Sequence, residues 1–219
     1  MKPFLSVGAV ATALLGLSSL AIAGSPASSN PADECKDRPR SEAIEKTAIP
    51  APPRPEAPSQ GRADAKVTVE VWSDFECSFC ALGADTLKAL REKYGEKVRV
   101  VFRHNPLPTH PNARLAAAAS MAAHEQGKFW EFHDALFAHQ DALDRASLEK
   151  LAGKLNLDVE RFRRAMDSST WTHYVDMEVV EGQRRKVMAT PTFFINGKTL
   201  AGARPMNIFE QTIDAELAR

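Results

Sequence analysis

Two cysteines three residues apart, Cys77 and Cys80, sit where the hydrophobic pattern of the chain changes period. Before them Val67, Val69 and Val71 alternate with Thr68 and Glu70, and Trp72 extends the run, which is the period-two signature of a strand. After them Leu87, Leu90 and Tyr94 recur at helical spacing, and Gly95 supplies a C-terminal stop. Val98 to Phe102 follows as a second, more apolar strand. Two strands joined by a helix of this length form a parallel βαβ unit with a right-handed crossover. The thiols are thereby fixed where the first strand hands the chain to the helix, and the chain is restricted to an α/β architecture.

The remainder divides in two. From about residue 112 to 186 the pattern is almost entirely helical. Leu115 to Ala123 is alanine-rich, Phe129, Trp130, Phe132, Leu136 and Phe137 form an aromatic-aliphatic face, and Asp158 suits the N-cap of a helix carrying Phe162 and Met166. These aromatics read as core packing and not as a cofactor box. Thr192 to Ile195 and Lys198 to Ala201 then flank Asn196-Gly197, a strong two-residue hairpin signal. A last helix is expected with Asn207 as N-cap, Glu210 at the capping-box position, and Phe209, Ile213 and Leu217 on one face.

The first 61 residues differ in kind. Lys2, an uncharged stretch from Phe4 to Leu20, and Ala21-Ile22-Ala23 read as a secretory signal peptide over residues 1–23, cleaved after Ala23. An uncleaved membrane anchor is the less favoured alternative, since serines and glycines dilute the run. Residues 24–61 hold eight of the fourteen prolines and no aromatic residue, so they read as a disordered Pro-rich tether with order beginning near Lys66. Export places the product in an oxidising compartment, the periplasm or its equivalent, where disulfides persist. Three cysteines in 219 residues are too few for a disulfide scaffold, and Cys35, alone in the tether, receives no catalytic role. The 28 basic and 28 acidic side chains balance, which argues against a nucleic-acid partner, because phosphate neutralisation needs a basic excess.

A C-x-x-C at the start of a helix has a specific chemistry. Unpaired backbone N–H groups and the helix dipole favour negative charge on the first cysteine, while the second lies one turn on, close enough to close a small disulfide ring. Cys77 is therefore expected to be the exposed nucleophile and Cys80 the more buried resolving partner. A closed zinc site would need four ligands, and the chain offers neither a second C-x-x-C nor a spaced His pair near the first. A purely structural disulfide is also disfavoured, because so short a loop constrains little of the unfolded chain. No metal or cofactor is expected. Asp74 and Glu76 could relay protons to Cys80, but exposed loop carboxylates are the preferred reading. Arg184-Arg185-Lys186 is expected to decorate a helix end, and His110-Pro111 to enter a helix.

Cys77-Ser-Phe-Cys80 after a strand, followed more than a hundred residues later by Ala189-Thr-Pro-Thr-Phe-Phe-Ile-Asn-Gly197, resembles the DsbA-type branch of the thioredoxin superfamily. Trp72-Ser-Asp-Phe-Glu-Cys77 and Gly127-Lys-Phe-Trp-Glu-Phe-His-Asp134 are similar to its bacterial exported members. The resemblance covers about residues 65–219 and implies a thioredoxin fold with a long helical insertion, about 112–186, between its βαβ and ββα halves. It also implies that Pro191 is a cis proline facing the dithiol, with the backbone of Thr190 pairing with an extended substrate.

The expected activity is thiol–disulfide exchange through Cys77 and Cys80 with cysteine-containing exported polypeptides, in the oxidising direction, with a membrane partner that reoxidises the pair. A reductase or isomerase of the same fold, or a non-catalytic peptide-binding module, are the alternatives. Ser78-Phe79 replaces the Pro-His dipeptide of the strongly oxidising type member. Without a histidine beside Cys77, and with Glu76 adjacent, the pair is expected to be a weaker oxidant than that member, whose potential is about −120 mV.

Overall fold

The computed structural model describes residues 56–219; the expected signal peptide, the tether up to residue 55 and Cys35 lie outside them. The alternating valines become two parallel neighbours. Strand β2 (Val67–Ser73) pairs in register with β3 (Val98–His104), so that Val67 faces Val98 and Ser73 faces His104. Helix α1 (Ser78–Tyr94) and a short 3-10 turn (Gly95–Lys97) make the crossover, and Gly95 at φ 55° adopts the positive dihedral that stops the helix. The hairpin forms as its Asn-Gly turn dictates. Strand β4 (Thr192–Ile195) runs antiparallel to β2, and β5 (Lys198–Ala201) closes the edge, with Asn196 and Gly197 both at positive φ.

The sheet order is β1-β3-β2-β4-β5, and its first member is a correction to the sequence reading. Residues 59–60, expected inside a disordered tether, form a two-residue strand β1 (Ser59–Gln60) antiparallel to β3. Three contacts fasten it: Phe102 N donates to Pro58 O at 2.8 Å, Trp130 Nε1 to Ser59 O at 3.2 Å, and Arg99 to Ser59 Oγ at 3.1 Å. A strand this short carries no periodicity to read. It exists because the edge of β3 offers unpaired backbone groups that must be satisfied.

Five helices fill the interval between β3 and β4: α2 (Ala113–His124), α3 (Phe129–Ala138), α4 (Arg145–Lys154), α5 (Val159–Asp167) and α6 (Thr170–Arg184). The small side chains of α2 are the reason it can be central, since Ala116 to Ala123 are buried along its whole length. Asp158 caps α5, accepting from Arg161 N as its position suggested. The final helix, α7 (Met206–Leu217), starts two residues earlier than a cap at Asn207 would set; Pro205 occupies the cap position and no side chain bonds there.

The sheet buries both faces. Val67, Val69, Val71, Val98, Val100, Phe102 and Phe193 lie in the main core, where Phe193 meets Phe209 of α7 edge-on at 4.8 Å. On the opposite face Trp72 and Phe194 pack with Val187 beneath the end of α6. The close approach there depends on Gly182, where a Cβ would lie 2.9 Å from the Trp72 ring. Arg185 caps α6 and lies 4.1 Å over the Phe194 ring, paired with Glu70, so it secures this face instead of merely decorating a helix end.

Candidate active site

The strand-to-helix turn Asp74–Cys77 delivers the first thiol. Cys77 is the N-cap of α1 in an extended conformation (φ −81°, ψ 120°), and its N–H donates to Asp74 O at 3.2 Å. Its carbonyl accepts from Cys80 N at 3.0 Å, the first turn of the helix. Both cysteines are free thiols. Cys80 is 1% exposed and Cys77 7%, so both are largely covered and the first is only slightly the more open.

The two sulfurs stand in different surroundings. Burial pushes the Cys80 thiol up to about 12, against partial relief from the Ser73 hydroxyl, the Asp74 N–H and the Thr190 hydroxyl. Asp74 N donates to Cys80 Sγ at 3.4 Å. Cys77 Sγ instead faces the loop before β4, donating to Thr190 O at 3.7 Å. The Thr190–Pro191 peptide bond is cis, and both residues are buried. The loop is seated against α1 at Gly83, where a Cβ would lie 3.1 Å from Phe193 and 3.3 Å from Pro191. The structure therefore brings together Cys77, Cys80, Thr190 and Pro191, four residues spread over more than a hundred positions of sequence.

The loop carboxylates are placed otherwise than expected. Asp74 is 2% exposed, not a solvated surface group. Its side chain accepts from Glu76 N and Leu107 N, each at 2.7 Å, and lies 2.8 Å from His110 Nδ1. Three donors make the burial of a carboxylate tolerable. Glu76 points to the start of α2, accepting from Asn112 N at 2.7 Å, where a negative charge is favoured.

Gln140, just beyond α3, is a site residue with no motif to announce it. Its Nε2 donates to Phe75 O at 2.8 Å and to Cys77 O at 3.0 Å. Beneath the loop, Phe75 stacks on Phe102 at 5.2 Å and lies 6.1 Å from His104, whose burial pushes it down to about 3 and keeps it neutral.

Three large apolar side chains are exposed on α1 and on the loop before β4. Phe79 is 61% exposed, Leu82 55% and Met188 86%. A cavity of about 320 Å³ opens elsewhere, between α1 and α3, lined by Leu87, Lys88, Arg91, Trp130 and Asp134 among others and by neither cysteine.

A family model described as "Thioredoxin" matches residues 54–215. The chain belongs to that thioredoxin family. Among solved structures it is similar to a thioredoxin-like oxidoreductase from Silicibacter pomeroyi DSS-3, at 25% identity and TM-score 0.69, covering 75% of this chain and 94% of that one. It is similar also to oxidised BdbD from Bacillus subtilis, at 26% identity and TM-score 0.67, covering 74% and 94%. The thiol–disulfide exchange protein α-DsbA2 from Wolbachia pipientis shares the fold at 19% identity and TM-score 0.67, covering 73% and 86%. The thioredoxin family is thus this chain's, and its fold is shared with DsbA-like thiol–disulfide exchange proteins. Curated relatives include Na(+)/H(+) antiporter NhaA 3 of Salinispora tropica, 42% identical over 150 residues. That match covers 68% of this chain and 22% of the relative, so the chain spans about a fifth of that protein's length. An antiporter NhaA of Herminiimonas arsenicoxydans matches similarly, at 40% identity with 23% of its length covered.

Proposed function

We propose that the chain is an exported thiol–disulfide oxidoreductase that forms disulfides in cysteine-containing polypeptides through Cys77 and Cys80. The observation that carries this reading is the inequality of the two thiols at one helix start. Cys77 Sγ lies against the Thr190 carbonyl of the cis-proline loop, whereas Cys80 is buried and its thiol is pushed up to about 12. A pair so arranged has one sulfur that meets substrate and one that resolves.

The exchange follows from this placement. A substrate thiolate attacks Cys77 Sγ of the Cys77–Cys80 disulfide; the S–S bond breaks, and Cys80 leaves as a thiolate that takes up a proton. Its high proton affinity makes the protonated form strongly favoured once it has left. A second substrate thiolate then attacks the substrate sulfur of the mixed disulfide, releasing the oxidised polypeptide and the Cys77 thiol. Thr190 and Pro191 present their backbone beside Cys77, and an extended substrate segment would pair there, with Phe79, Leu82 and Met188 offering apolar contacts to its side chains. Return to the disulfide form needs an oxidising partner, which we place in the membrane. Antiport does not come over from the NhaA relatives, because the matched region is under a quarter of their length. No helix among the described residues is long and apolar enough to cross a membrane.

The test uses a cysteine-containing peptide and the oxidised protein. Cys77→Ser should abolish peptide oxidation, and with the enzyme supplied reduced and the peptide as a disulfide, Cys80→Ser should accumulate a Cys77–peptide mixed disulfide visible by mass. Undiminished oxidation in Cys77→Ser would end this reading. Export is checked by N-terminal sequencing of the secreted chain, which should begin at Gly24, and direction by the reduction potential, expected below about −120 mV but still able to oxidise a peptide dithiol.

A further inference from the structure

We infer that Gln140 is a positioning residue for the exchange: by donating both hydrogens of its amide to the carbonyls of Phe75 and Cys77, it fixes the thiol-bearing turn and sets the balance between dithiol and disulfide. The inference rests on the reading of Cys77 and Cys80 as the exchanging pair. Gln140 lies in the helical insertion, 65 residues from Phe75 and 63 from Cys77 in sequence. An amide has two N–H donors at a fixed angle, and both are used here, at 2.8 and 3.0 Å, on carbonyls two residues apart.

The consequences differ for the two carbonyls. Phe75 is 1% exposed, and Gln140 is the partner its carbonyl has among the described residues. Without Gln140 that oxygen is buried and unsatisfied, and the turn must move to reach water. The Cys77 carbonyl also accepts from Cys80 N and Ala81 N, at 3.0 and 3.3 Å. The Gln140 bond adds a third donor there, and Cys77 is then held at its N–H by Asp74 O and at its carbonyl by three donors. This leaves its side chain little backbone freedom, which is what a sulfur needs for in-line attack.

The electrostatic effect has a definite sign. The carbonyl of Cys77 is the negative end of a dipole adjoining its own sulfur. Gln140 places the positive end of an amide dipole on that oxygen. A thiolate at Cys77 gains from this, whereas the uncharged disulfide is indifferent. Removing the donor therefore destabilises negative charge on Cys77 Sγ relative to the disulfide, and the pair becomes less oxidising.

The experiment compares the full chain with Gln140→Met, which keeps the length and volume of the side chain and removes both donors, and with Gln140→Glu, which turns carboxylate oxygens on the two carbonyls. Each protein is equilibrated with reduced and oxidised glutathione, and the dithiol fraction is read by alkylation and mass. Gln140→Met should shift the equilibrium constant about threefold to tenfold toward the disulfide, a fall in potential of about 15 to 30 mV, and Gln140→Glu should shift it further the same way. The second readout is thermal unfolding of each redox form: the shift must reappear as a change in the stability difference between disulfide and dithiol forms. A loss of stability equal in both forms, with the glutathione equilibrium unmoved, would show a purely structural residue and overturn the inference. The equilibrium is a property of the dithiol itself, so it decides the role of Gln140 even where the peptide-oxidation assay fails.

Discussion

Burial of Cys80 predicts a specific alkaline instability of the dithiol form. The thiol is pushed up to about 12 from an ordinary value of 9.0, with desolvation as the first cause. A thiol whose folded value is raised keeps its proton where the unfolded chain has already lost its own. The stability it contributes is therefore complete below pH 9 and is lost as pH rises from 9 toward 12. Its slope is about 1.4 kcal/mol per pH unit, and between pH 8 and pH 11 the loss amounts to about 3 kcal/mol. That is a large part of the 5 to 15 kcal/mol typical of a domain. Tyr94, whose hydroxyl is also pushed up to about 12, titrates in the same range. The experiment must therefore be a difference. Urea unfolding of Cys77→Ser, which retains the Cys80 thiol, is compared with Cys77→Ser/Cys80→Ala across pH 8 to 11. All other groups are common to both proteins and cancel. The midpoint of the single variant should fall relative to the double variant by about 1 to 2 M urea over that range. Parallel curves would show that Cys80 is solvated, and the distinction drawn between the two thiols would fall with it.

Three further substitutions probe the surroundings of the site. Gly182→Ala places a methyl 2.9 Å from the buried Trp72 ring, which has no room to give, and should cost about 1 to 3 kcal/mol by chemical denaturation; a cost under 0.5 kcal/mol would mean that α6 moves freely on the sheet. Phe79→Ser and Met188→Ser remove exposed apolar surface from α1 and from the loop before β4, and each should lower kcat/KM for a cysteine peptide by about fivefold, the equivalent of roughly 1 kcal/mol of apolar contact, and by less for glutathione. Equal losses on peptide and glutathione would place these side chains outside the docking surface.

What the sequence disclosed follows from which interactions leave a repeating mark. The valines of β2 and β3 alternate because a pleated strand has two faces, and the helix between them shows its own period, so the βαβ unit could be read directly. Asn196-Gly197 marks the hairpin because both positions need positive φ. Cys77 and Cys80 stand out as a C-x-x-C, Thr190 and Pro191 only through the resemblance, and the fold sets Cys77 Sγ against Thr190 O before a cis Pro191. The strand at Ser59–Gln60 was missed, since it is held by single bonds from Phe102, Arg99 and Trp130 and not by any pattern of its own. Asp74 was misplaced for a related reason: a carboxylate in a polar loop looks solvated until its three partners, from Glu76, Leu107 and His110, are known. Gln140 was invisible because a side chain that bonds backbone carbonyls places no demand on the residue types at the other end.

Asp74 and Gln140 share a location, and it bears on how the site is built. The turn from Asp74 to Cys77 bonds chiefly to residues after β3. Asp74 is held by Leu107 and His110, Glu76 engages Asn112, and Phe75 and Cys77 are held by Gln140. The βαβ half supplies the strand that delivers the cysteines and the helix that receives them, and the hairpin half supplies the carbonyl facing Cys77. The conformation of the turn between strand and helix is imposed from the third side, by the insertion and the segment leading into it. Two chemically identical thiols one helical turn apart can differ only through what surrounds them. In this chain the hairpin loop meets one, burial governs the other, and the insertion holds the backbone that keeps the two apart in character.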